Sequence, residues 1–475
     1  MKLFNKFILV SMLFLAINCV AKDLPKTPAG QRAKELVELL NGANSYELED
    51  YINNQYAAEF RDAFQAEAHK GMIERTQTMF GKVSVVEITK STQNEISIIL
   101  KSEMKDAWLN LMLQVEQDEP HCIVSMGFRS GSPPGDSEKD QDALFSNLDE
   151  LHQYLLEKTK ENEFSGTVLI ANNGEPVFQE AHGYASKRFN VYNKIDTKFN
   201  IGSINKIFTS VAITQLMEKG QLSIDDPIGK YLDIFPQEIA DKVTIRHLLN
   251  MRSGWGDYWG NDYYLAHKDQ LQTVSAYMHF IKDIPLDFEP GTDIQHCNIG
   301  YEVAGAIIEK ISGMDYYDYI KKNVYDVSGM THSDSYYRDD PDENRAIGYT
   351  MMNHNDKKGK TFPSDNLDIL PARGTPAGGG YSTAKDMLKF DKALRNNKLL
   401  SSDYTQYLIS RFNGFPGDPF TPPDKIYSMV GGAPGVFAFF GLDLQSSYTI
   451  IVLSNYDHPV AMDVAKEIIK MLDIK

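Results

Sequence analysis

The stretch from Lys198 to Gly220 constrains the fold of this 475-residue chain more than any other. Apolar residues recur there every three or four positions, a spacing typical of an α-helix with one wide buried face. Gly220 follows the last of them and provides a stop signal. The apolar positions are Ile204, Ile207, Phe208, Val211, Ala212, Leu216 and Met217. We therefore predict a helix around which a large domain packs.

Two polar residues stand at the beginning of this helix. Ser203 follows a glycine, and Lys206 comes three residues later, so both side chains project from one face about one turn apart. A serine hydroxyl becomes a nucleophile when a base removes its proton, and a buried lysine with a lowered pKa can be that base. Taken alone, the tetrapeptide favours a plainer interpretation, in which Ser203 caps the helix and Lys206 is solvated.

Longer motifs reverse that preference. Phe199-Asn-Ile-Gly-Ser-Ile-Asn-Lys206 and Gly220-Gln-Leu-Ser-Ile-Asp-Asp-Pro-Ile-Gly-Lys-Tyr-Leu232 closely resemble the serine hydrolases of the β-lactamase-related family, which spans class C β-lactamases, D-alanyl-D-alanine peptidases and esterases. The resemblance covers roughly residues 140–475. Its later motifs, in family order, are Val243-Thr-Ile-Arg-His-Leu-Leu-Asn-Met-Arg-Ser-Gly254, Pro290-Gly-Thr292, Asn298-Ile-Gly-Tyr-Glu-Val-Ala-Gly305, Gly378-Gly-Gly-Tyr-Ser-Thr383 and Ile450-Ile-Val-Leu-Ser-Asn455. The resemblance implies that Ser203 is the nucleophile and Lys206 its base.

The same resemblance implies the fold of residues 139–475. It is an α/β (α+β) fold of the β-lactamase/transpeptidase type, with an antiparallel sheet flanked by helices and a mostly helical subdomain near 222–385. The expected elements are a helix over Ala143–Lys160, a hairpin of Ser165–Ala171 and Pro176–Gln179, strands near 427–455 and a helix over Val460–Leu472.

A small α+β domain is predicted before it, over residues 22–130, with a linker at 131–138 that is rich in glycine, proline and serine. The domain resembles, by pattern, the NTF2-like domains that precede some of these hydrolases. It could form a ligand pocket, but a spacer or docking surface is the preferred interpretation. The expected helices are Gly30–Leu40 and Ala57–Met79 with breaks, and the strands are Val83–Ile88, Ile96–Leu100, Trp108–Val115 and Cys122–Phe128.

Residues 1–21 read as a signal peptide. Lys2 and Lys6 precede the apolar run Phe7–Ile17, which is too short to span a bilayer as an ordinary helix. Cleavage is expected after Ala21 and predicts a periplasmic or secreted protein. Lipid anchoring at Cys19 is the weaker alternative, because Asn18 is a poor residue before a lipidated cysteine. No later apolar run is long enough for a transmembrane span.

The net charge and the cysteines argue against several classes of binding partner and of binding site. A net charge of −17 argues against nucleic-acid and anionic-membrane partners. The sequence contains no cysteine and histidine cluster at zinc spacing, so neither a metal nor a cofactor is expected. After cleavage two cysteines remain, Cys122 and Cys297. They fall in different predicted domains, and free thiols are favoured over a disulfide.

In the β-lactamase-related family three sequence motifs meet at the cleft, and this chain departs from two of those motifs. The Ser-x-x-Lys element is intact. Aligning the Tyr-x-Asn element places His296 where the family has tyrosine, and Asn298 where it has asparagine. Histidine can act as a general base near neutral pH, whereas Asn298 would orient a substrate amide or Lys206. A structural, hydrogen-bonded His296 is an equally good interpretation.

The third element normally reads Lys-Thr-Gly or His-x-Gly on the sheet edge. Alignment places Met429, Val430 and Gly431 there. A thioether cannot bind a substrate carboxylate, so uncharged esters or amides become better candidates than penicillins or acyl-D-alanine ends. By the same alignment, the N–H groups of Ser203 and Gly432 would form the oxyanion hole.

These observations predict a metal-independent serine hydrolase that acts on a small ester, amide or peptide through an acyl-enzyme. The alternative is a degenerate member that binds a cell-wall fragment or small ligand without turnover. The aromatic, glycine-rich segment at 254–264 is either a substrate-binding rim or, preferably, a packed loop. No pair of carboxylates has a spacing that commits it to acid–base work, and oligomeric state is not indicated.

Overall fold

A computed structural model describes most of the chain: residues 23–42, 45–63, 66–103, 107–131, 143–341, 344–351, 363–411, 426–443, 446–457 and 459–474. The chain divides into two compact units, residues 1–141 and 142–475. The predicted signal peptide and all of the predicted linker except Gly131 lie outside the described residues. None of the described helices has the length and apolar character that crossing a membrane requires.

The N-terminal unit begins with four helices. The side chain of Thr27 accepts a hydrogen bond from the backbone of Gly30 and caps the first helix. A further helix, Ser45–Gln55, was not predicted, because its polar sequence has few apolar positions, such as Leu48 and Ile52, to bury. The four are α1 (Pro28–Leu40), α2 (Ser45–Gln55), α3 (Ala58–Ala63) and α4 (Ala66–Phe80).

An antiparallel sheet of four strands follows these helices, with its strands in chain order. Alternate residues of the inner strands, including Ile96, Ile98, Leu109 and Leu111, are buried against the helices. The predicted succession of helices and then strands is confirmed, while the NTF2-like resemblance stays a prediction. The strands are β1 (Val83–Ser91), β2 (Glu95–Ser102), β3 (Trp108–Val115) and β4 (Ile123–Gly131).

The second unit is built on a five-stranded sheet in which every neighbouring pair is antiparallel. Its strands are β5 (Gly166–Asn172), β6 (Glu175–His182), β13 (Ile426–Ala433), β14 (Val436–Asp443) and β15 (Tyr448–Ser454), and they lie in the order β13-β14-β15-β5-β6. Asn173 and Gly174 both have positive φ and form the tight turn of the predicted hairpin between β5 and β6. The predicted antiparallel sheet is therefore present.

Two helices, the first and the last of the second unit in chain order, cover one face of this sheet. They are α5 (Leu148–Lys160) and α16 (Val460–Met471), and both pack on an apolar layer that includes Phe164 and Phe439. The helix α5 begins five residues later than predicted, because the side chain of Asn147 accepts a hydrogen bond from the Glu150 N–H and caps the helix there.

The predicted mostly helical subdomain is also present. Its helices are α7 (Gln237–Ala240), α8 (Ile245–Leu249), α9 (Asp262–His267), α10 (Val274–Ile281), α11 (Ile299–Ser312), α12 (Tyr316–Ile320) and α13 (Asp326–Ser328), with a π-helical turn at Lys321–Tyr325. Two helices of the sheet's second face follow, α14 (Ala384–Arg395) and α15 (Ser402–Arg411). Short strands form two-stranded sheets apart from the five-stranded one: β7 (Tyr184–Ser186), β8 (Val191–Tyr192), β9 (Phe199–Asn200), β10 (Tyr349–Thr350), β11 (Ser364–Asp365) and β12 (Tyr381–Ser382).

The helix predicted around Ser203 occupies the centre of the unit. It is α6 (Lys206–Glu218), and every residue from Lys206 to Leu216 is buried. The expectation of a single buried face was wrong, because the helix lies between the sheet and α11, α12 and α15, and has apolar partners on all sides. Ser203 belongs to the 3₁₀ turn Gly202–Asn205 just before it, and Gly220 ends it with a left-handed φ of 68°.

The edge strand β13 lies directly against this 3₁₀ turn. A Cβ atom built on Gly431 would stand 1.9 Å from the carbonyl oxygen of Ile201 and 3.0 Å from the backbone nitrogen of Ser203. At the next residue, Gly432, a Cβ would meet only the ring of Phe437, at 3.7 Å. The absence of a side chain at Gly431 therefore allows sheet and turn to come into backbone contact.

This contrast predicts different stabilities for two neighbouring variants. Gly431→Ala should lower the free energy of unfolding by about 1–3 kcal/mol, because a backbone cannot yield to the new methyl group as a side chain can. Gly432→Ala should change it by less than about 1 kcal/mol. Melting of the full-length variants, followed by circular dichroism, measures both. Equal melting temperatures would contradict the proposed backbone contact.

Candidate active site

The side chain of Lys206 lies at the centre of a buried hydrogen-bond cluster. Its Nζ is 3.1 Å from Ser203 Oγ, 2.6 Å from Asn298 Oδ1 and 2.5 Å from the carbonyl oxygen of Ala377. Only 2% of the residue is exposed. The structure thus brings together three residues that the sequence singled out and a carbonyl group that it did not.

Separate elements hold these groups in place. Asn298 is the residue that precedes α11, and Ala377 belongs to the glycine-rich segment before β12. That segment is fastened to the 3₁₀ turn, because the Gly379 N–H donates to the Gly202 carbonyl over 3.2 Å and Asn205 Nδ2 donates to the Thr375 carbonyl over 2.7 Å. The Ser203 backbone is consequently clamped between this segment and β13.

Burial changes the acid–base chemistry of Lys206. Loss of hydration lowers the pKa of its ammonium group to about 8, although the negative charges of Asp257 and Glu302 act in the opposite direction. Roughly one Lys206 in ten is then neutral at pH 7. A neutral amine has two N–H donors and one lone pair. Asn298 Oδ1 and the Ala377 carbonyl can only accept, so they take both donors and leave the lone pair for the Ser203 hydroxyl.

Asp257 extends the cluster and was missed by the sequence analysis. Asn298 Nδ2 donates to its two carboxylate oxygens over 3.1 and 2.8 Å. Burial acts to raise the pKa of Asp257, but the hydrogen bond and charge of His296, the amide of Asn298 and the charge of Lys206 hold that pKa below its ordinary value. The carboxylate is therefore ionised, and it fixes the orientation of the Asn298 amide.

The loop that carries Asp257 is the aromatic, glycine-rich segment at 254–264. Trp255, Tyr258 and Tyr264 are buried in the core, as the preferred interpretation of a packed loop expects, whereas Tyr263 is 47% exposed. The interpretation as a substrate-binding rim stays a prediction for the exposed part of the loop. No spacing in the sequence pointed to Asp257, because 41 residues separate it from Asn298. A carboxylate among glycines and aromatic residues was the available signal.

His296 lies at the outer end of the cluster. Its Nδ1 is 3.2 Å from an oxygen of Asp257, and 56% of its side chain is exposed. Among the described contacts, no hydrogen bond joins His296 to Ser203 or Lys206 directly. His296 therefore stands between solvent and the Asp257–Asn298–Lys206 series of contacts, where its role stays a prediction.

The three residues predicted on the sheet edge have different surroundings. Gly431 and Gly432 lie on β13 next to the Ser203 turn, with Gly432 exposed. Met429 pairs with Phe440 of β14, and its half-buried side chain packs on the apolar layer beside Ile207. The position that the family gives to a charged or hydrogen-bonding group is here continuous with the apolar core.

A second carboxyl group near Lys206, that of Glu302, lies one helical turn after Asn298 on α11. It is fully buried, and the hydroxyl of Tyr258 donates to its Oε1 over 2.9 Å. Burial raises its pKa to about 7, against the stabilising effects of Thr375, Tyr258 and Lys206. Glu302 is thus partly ionised at neutral pH and, when ionised, adds a second negative charge near the Lys206 ammonium, another feature that the sequence analysis missed.

The comparisons with known proteins agree with this geometry. The family model described as beta-lactamase matches residues 142–471. The chain belongs to the β-lactamase family of serine hydrolases. The predicted membership, fold class and hydrolase class are confirmed, and the acyl-enzyme mechanism is general for this family.

Relatives within the β-lactamase family include penicillin-binding proteins. A putative penicillin-binding protein of Bacillus subtilis (strain 168), PbpX, is 33% identical over 307 residues, which are 64% of this chain and 73% of the relative. The crystal structure of a penicillin-binding protein from Bacillus halodurans matches with a TM-score of 0.59 and 30% identity, over 68% of this chain and 99% of that one.

An amidase shares the fold at lower identity. The D-amino acid amidase from Ochrobactrum anthropi SV3, in complex with L-phenylalanine, has a TM-score of 0.57 and 22% identity, and the match covers 69% of this chain and 98% of the amidase.

Both cysteines that the structure describes, Cys122 and Cys297, are free thiols, as predicted.

Glu302 generates a prediction about pH dependence. Because its negative charge raises the pKa of Lys206, Glu302→Gln should lower that pKa and move the acidic limb of the kcat/KM profile to lower pH, by roughly half a unit to one unit. The variant should therefore be more active than wild type between about pH 7 and 8, where Glu302, with a pKa of about 7, is largely ionised in the wild type. A pH–rate series with a neutral ester measures the limb.

Glu309→Gln provides the matched control. Glu309 lies two turns further along α11, is also partly buried, and accepts a hydrogen bond from the Tyr316 N–H. Its removal should leave the limb in place. A limb that does not move in a folded Glu302→Gln protein would show that Glu302 does not set the protonation of Lys206.

Proposed function

We propose that this protein is an exported hydrolase that cleaves an uncharged ester or amide through an acyl-enzyme on Ser203. The observation that carries the proposal is the contact of 3.1 Å between Ser203 Oγ and Lys206 Nζ, with the lysine buried and its pKa lowered to about 8. A serine with a partly neutral amine at hydrogen-bond distance has the arrangement that nucleophilic catalysis requires.

Acylation follows from this arrangement. Ser203 Oγ attacks the substrate carbonyl carbon while its proton passes to Lys206 Nζ, and the carbonyl oxygen becomes an oxyanion. The N–H groups of Ser203 and Gly432 stabilise that oxyanion. When the tetrahedral intermediate collapses, Lys206 gives the proton to the departing alcohol or amine. The products are an ester on Ser203 and a neutral leaving group.

Deacylation needs a water molecule and a base. The proposed base is His296, whose exposed imidazole faces solvent while Asp257 holds its Nδ1. His296 takes a proton as the water oxygen attacks the acyl carbon. Ser203 Oγ leaves with a proton that Lys206, neutral after acylation, has regained from solvent, and His296 then returns its own proton to solvent. The ionised carboxylate of Asp257 stabilises the imidazolium that forms, because the opposite charges lie close together.

Local charge indicates which substrates fit. Asp257 and Glu302 surround Lys206 with two carboxyl groups, and Met429 offers no charge on the sheet edge. A substrate carboxylate would meet repulsion there and find no cation in the third motif. Uncharged esters and amides are therefore proposed as the substrates.

Two finer parts of the proposal rest on the sequence. The basic start, apolar run and small-residue site in residues 1–21 support export to the periplasm or medium. The competing function is binding of a cell-wall fragment or small ligand without turnover. It is favoured by His296 and Met429, which replace the tyrosine and the basic residue of the family's motifs.

Covalent labelling separates turnover from binding. A fluorophosphonate probe should label the purified wild-type protein, and Ser203→Ala should lose labelling and at least roughly a thousandfold in ester hydrolysis. Lys206→Arg should fold but also fail to acylate, because a guanidinium group stays protonated. Labelling that survives in Ser203→Ala would exclude Ser203 as the nucleophile. A folded wild type that neither labels nor hydrolyses an ester panel would establish the binding function.

The proposed base for deacylation makes a kinetic prediction. His296→Ala should slow deacylation by roughly 100-fold while acylation changes little, so that a product burst precedes a slow steady state. Stopped-flow release of a chromogenic alcohol, with mass spectrometry of the acyl-enzyme, measures both steps. His267→Ala removes a partly exposed histidine on α9, outside the proposed site, and serves as the control. Equal rates with no accumulated acyl-enzyme would make His296 a structural residue.

A further inference from the structure

A separate cluster of potential metal ligands lies on the opposite edge of the sheet from β13. It consists of His152 on α5 together with Glu180 and His182 on β6. One donor atom from each of the three side chains can be chosen so that all lie within 4.8 Å of one another. The order of the strands separates this cluster from the Ser203 turn by the full width of the sheet.

Regular structure places the three side chains together. Glu180 and His182 are two residues apart on β6, so they project from the same face of the sheet. The helix α5 packs across β6 and directs His152 towards them. Residue spacing in the sequence did not indicate the cluster, because 28 residues and a strand separate His152 from Glu180.

The distances are short. His152 Nδ1 is 2.9 and 2.8 Å from the two oxygens of Glu180, and His182 Nε2 is 2.9 Å from one of the same oxygens. One carboxylate therefore faces two imidazole nitrogens at once. The side chain of His182 is 7% exposed and that of Glu180 28%, while His152 is 40% exposed and leaves the cluster open on one side.

We propose that His152, Glu180 and His182 form a binding site for a divalent transition metal ion of the zinc class. Two imidazole nitrogens and one carboxylate oxygen are the donors that Zn²⁺ accepts, whereas Ca²⁺ and Mg²⁺ prefer oxygen ligands alone. With bonds of about 2.0–2.1 Å, tetrahedral zinc needs donors roughly 3.3 Å apart. Binding would require rotations of the partly exposed His152 and Glu180 side chains that bring the donor atoms from the observed distances, all within 4.8 Å, to that spacing.

The cluster leaves one coordination position for water. A tetrahedral ion takes three ligands from the protein, and the exposed side near His152 admits the fourth. Binding would replace the hydrogen bonds to Glu180 with metal bonds and connect α5 to the edge strand β6. Since an imidazole must lose its proton to bind a metal, binding should release protons.

The site is distinct from the hydrolase chemistry. None of its three residues contacts the hydrogen-bond cluster around Lys206 in the described part of the chain, and the proposed acylation uses no metal. The ion would act on the stability of the edge of the sheet. Metal binding and ester hydrolysis can accordingly be measured independently on the same preparation.

Titration of the full-length, untagged protein tests the proposal. After treatment with a chelator and its removal, calorimetry with Zn²⁺ should show one site with a dissociation constant at or below the micromolar range, and proton release on binding. Co²⁺ as a spectroscopic probe should give the visible absorption of a tetrahedral site. The melting temperature should rise with Zn²⁺ and return after the chelator is added again.

Variants assign the binding to this cluster. His152→Gln, at the most exposed position, and Glu180→Gln should each weaken Zn²⁺ binding at least tenfold and remove the Co²⁺ spectrum. His267→Gln, on α9, removes an equally accessible histidine and should bind as wild type does. Ester hydrolysis should be the same in all of them. Absence of one-site binding in wild type, or unchanged affinity in folded His152→Gln and Glu180→Gln, would overturn the proposal and leave a hydrogen-bonded trio.

Discussion

Burial of the Lys206 amino group is the constraint on which the candidate active site depends. An ammonium group deprived of water is costly unless it is well hydrogen-bonded or loses its proton. Here Asn298 and the Ala377 carbonyl accept from the nitrogen, while Asp257 and Glu302 supply opposite charge nearby. These opposing effects leave the pKa at about 8, where protonated and neutral forms coexist under physiological conditions.

The surrounding fold keeps the Lys206 amino nitrogen shielded from water and aligned with Ser203 Oγ. The helix α6 is buried on all sides, so its first residue, Lys206, cannot reach solvent by a change of rotamer. The Ser203 turn is fixed by backbone contacts with the segment at 374–380 on one side and with Gly431 on the other. Reacting groups held by backbone rather than by flexible side chains lose little entropy when substrate binds.

The polar network also explains how the two departures from the family's motifs can be accommodated. His296 is paired with the carboxylate of Asp257, which supplies a charge partner that a tyrosine would not need. Met429 joins the apolar layer beside Ile207, and the local charge near Lys206 is set by carboxyl groups instead. The apolar side chain at Met429 is the change on which the proposal of substrates without a carboxylate depends.

Local sequence determined the helix that begins at Lys206, the hairpin at Asn173-Gly174 and the Ser203–Lys206 pair, because periodicity, positive-φ turns and one-turn spacing are short-range properties. It could not show that α6 is buried on every side. The Asn147 cap that sets the start of α5 is also a local signal, which the sequence analysis overlooked. Asp257, Glu302 and the His152–Glu180–His182 cluster were decided by tertiary structure alone. Their partners lie tens of residues away in the chain, and only packing of helices, loops and strands brings such charges together.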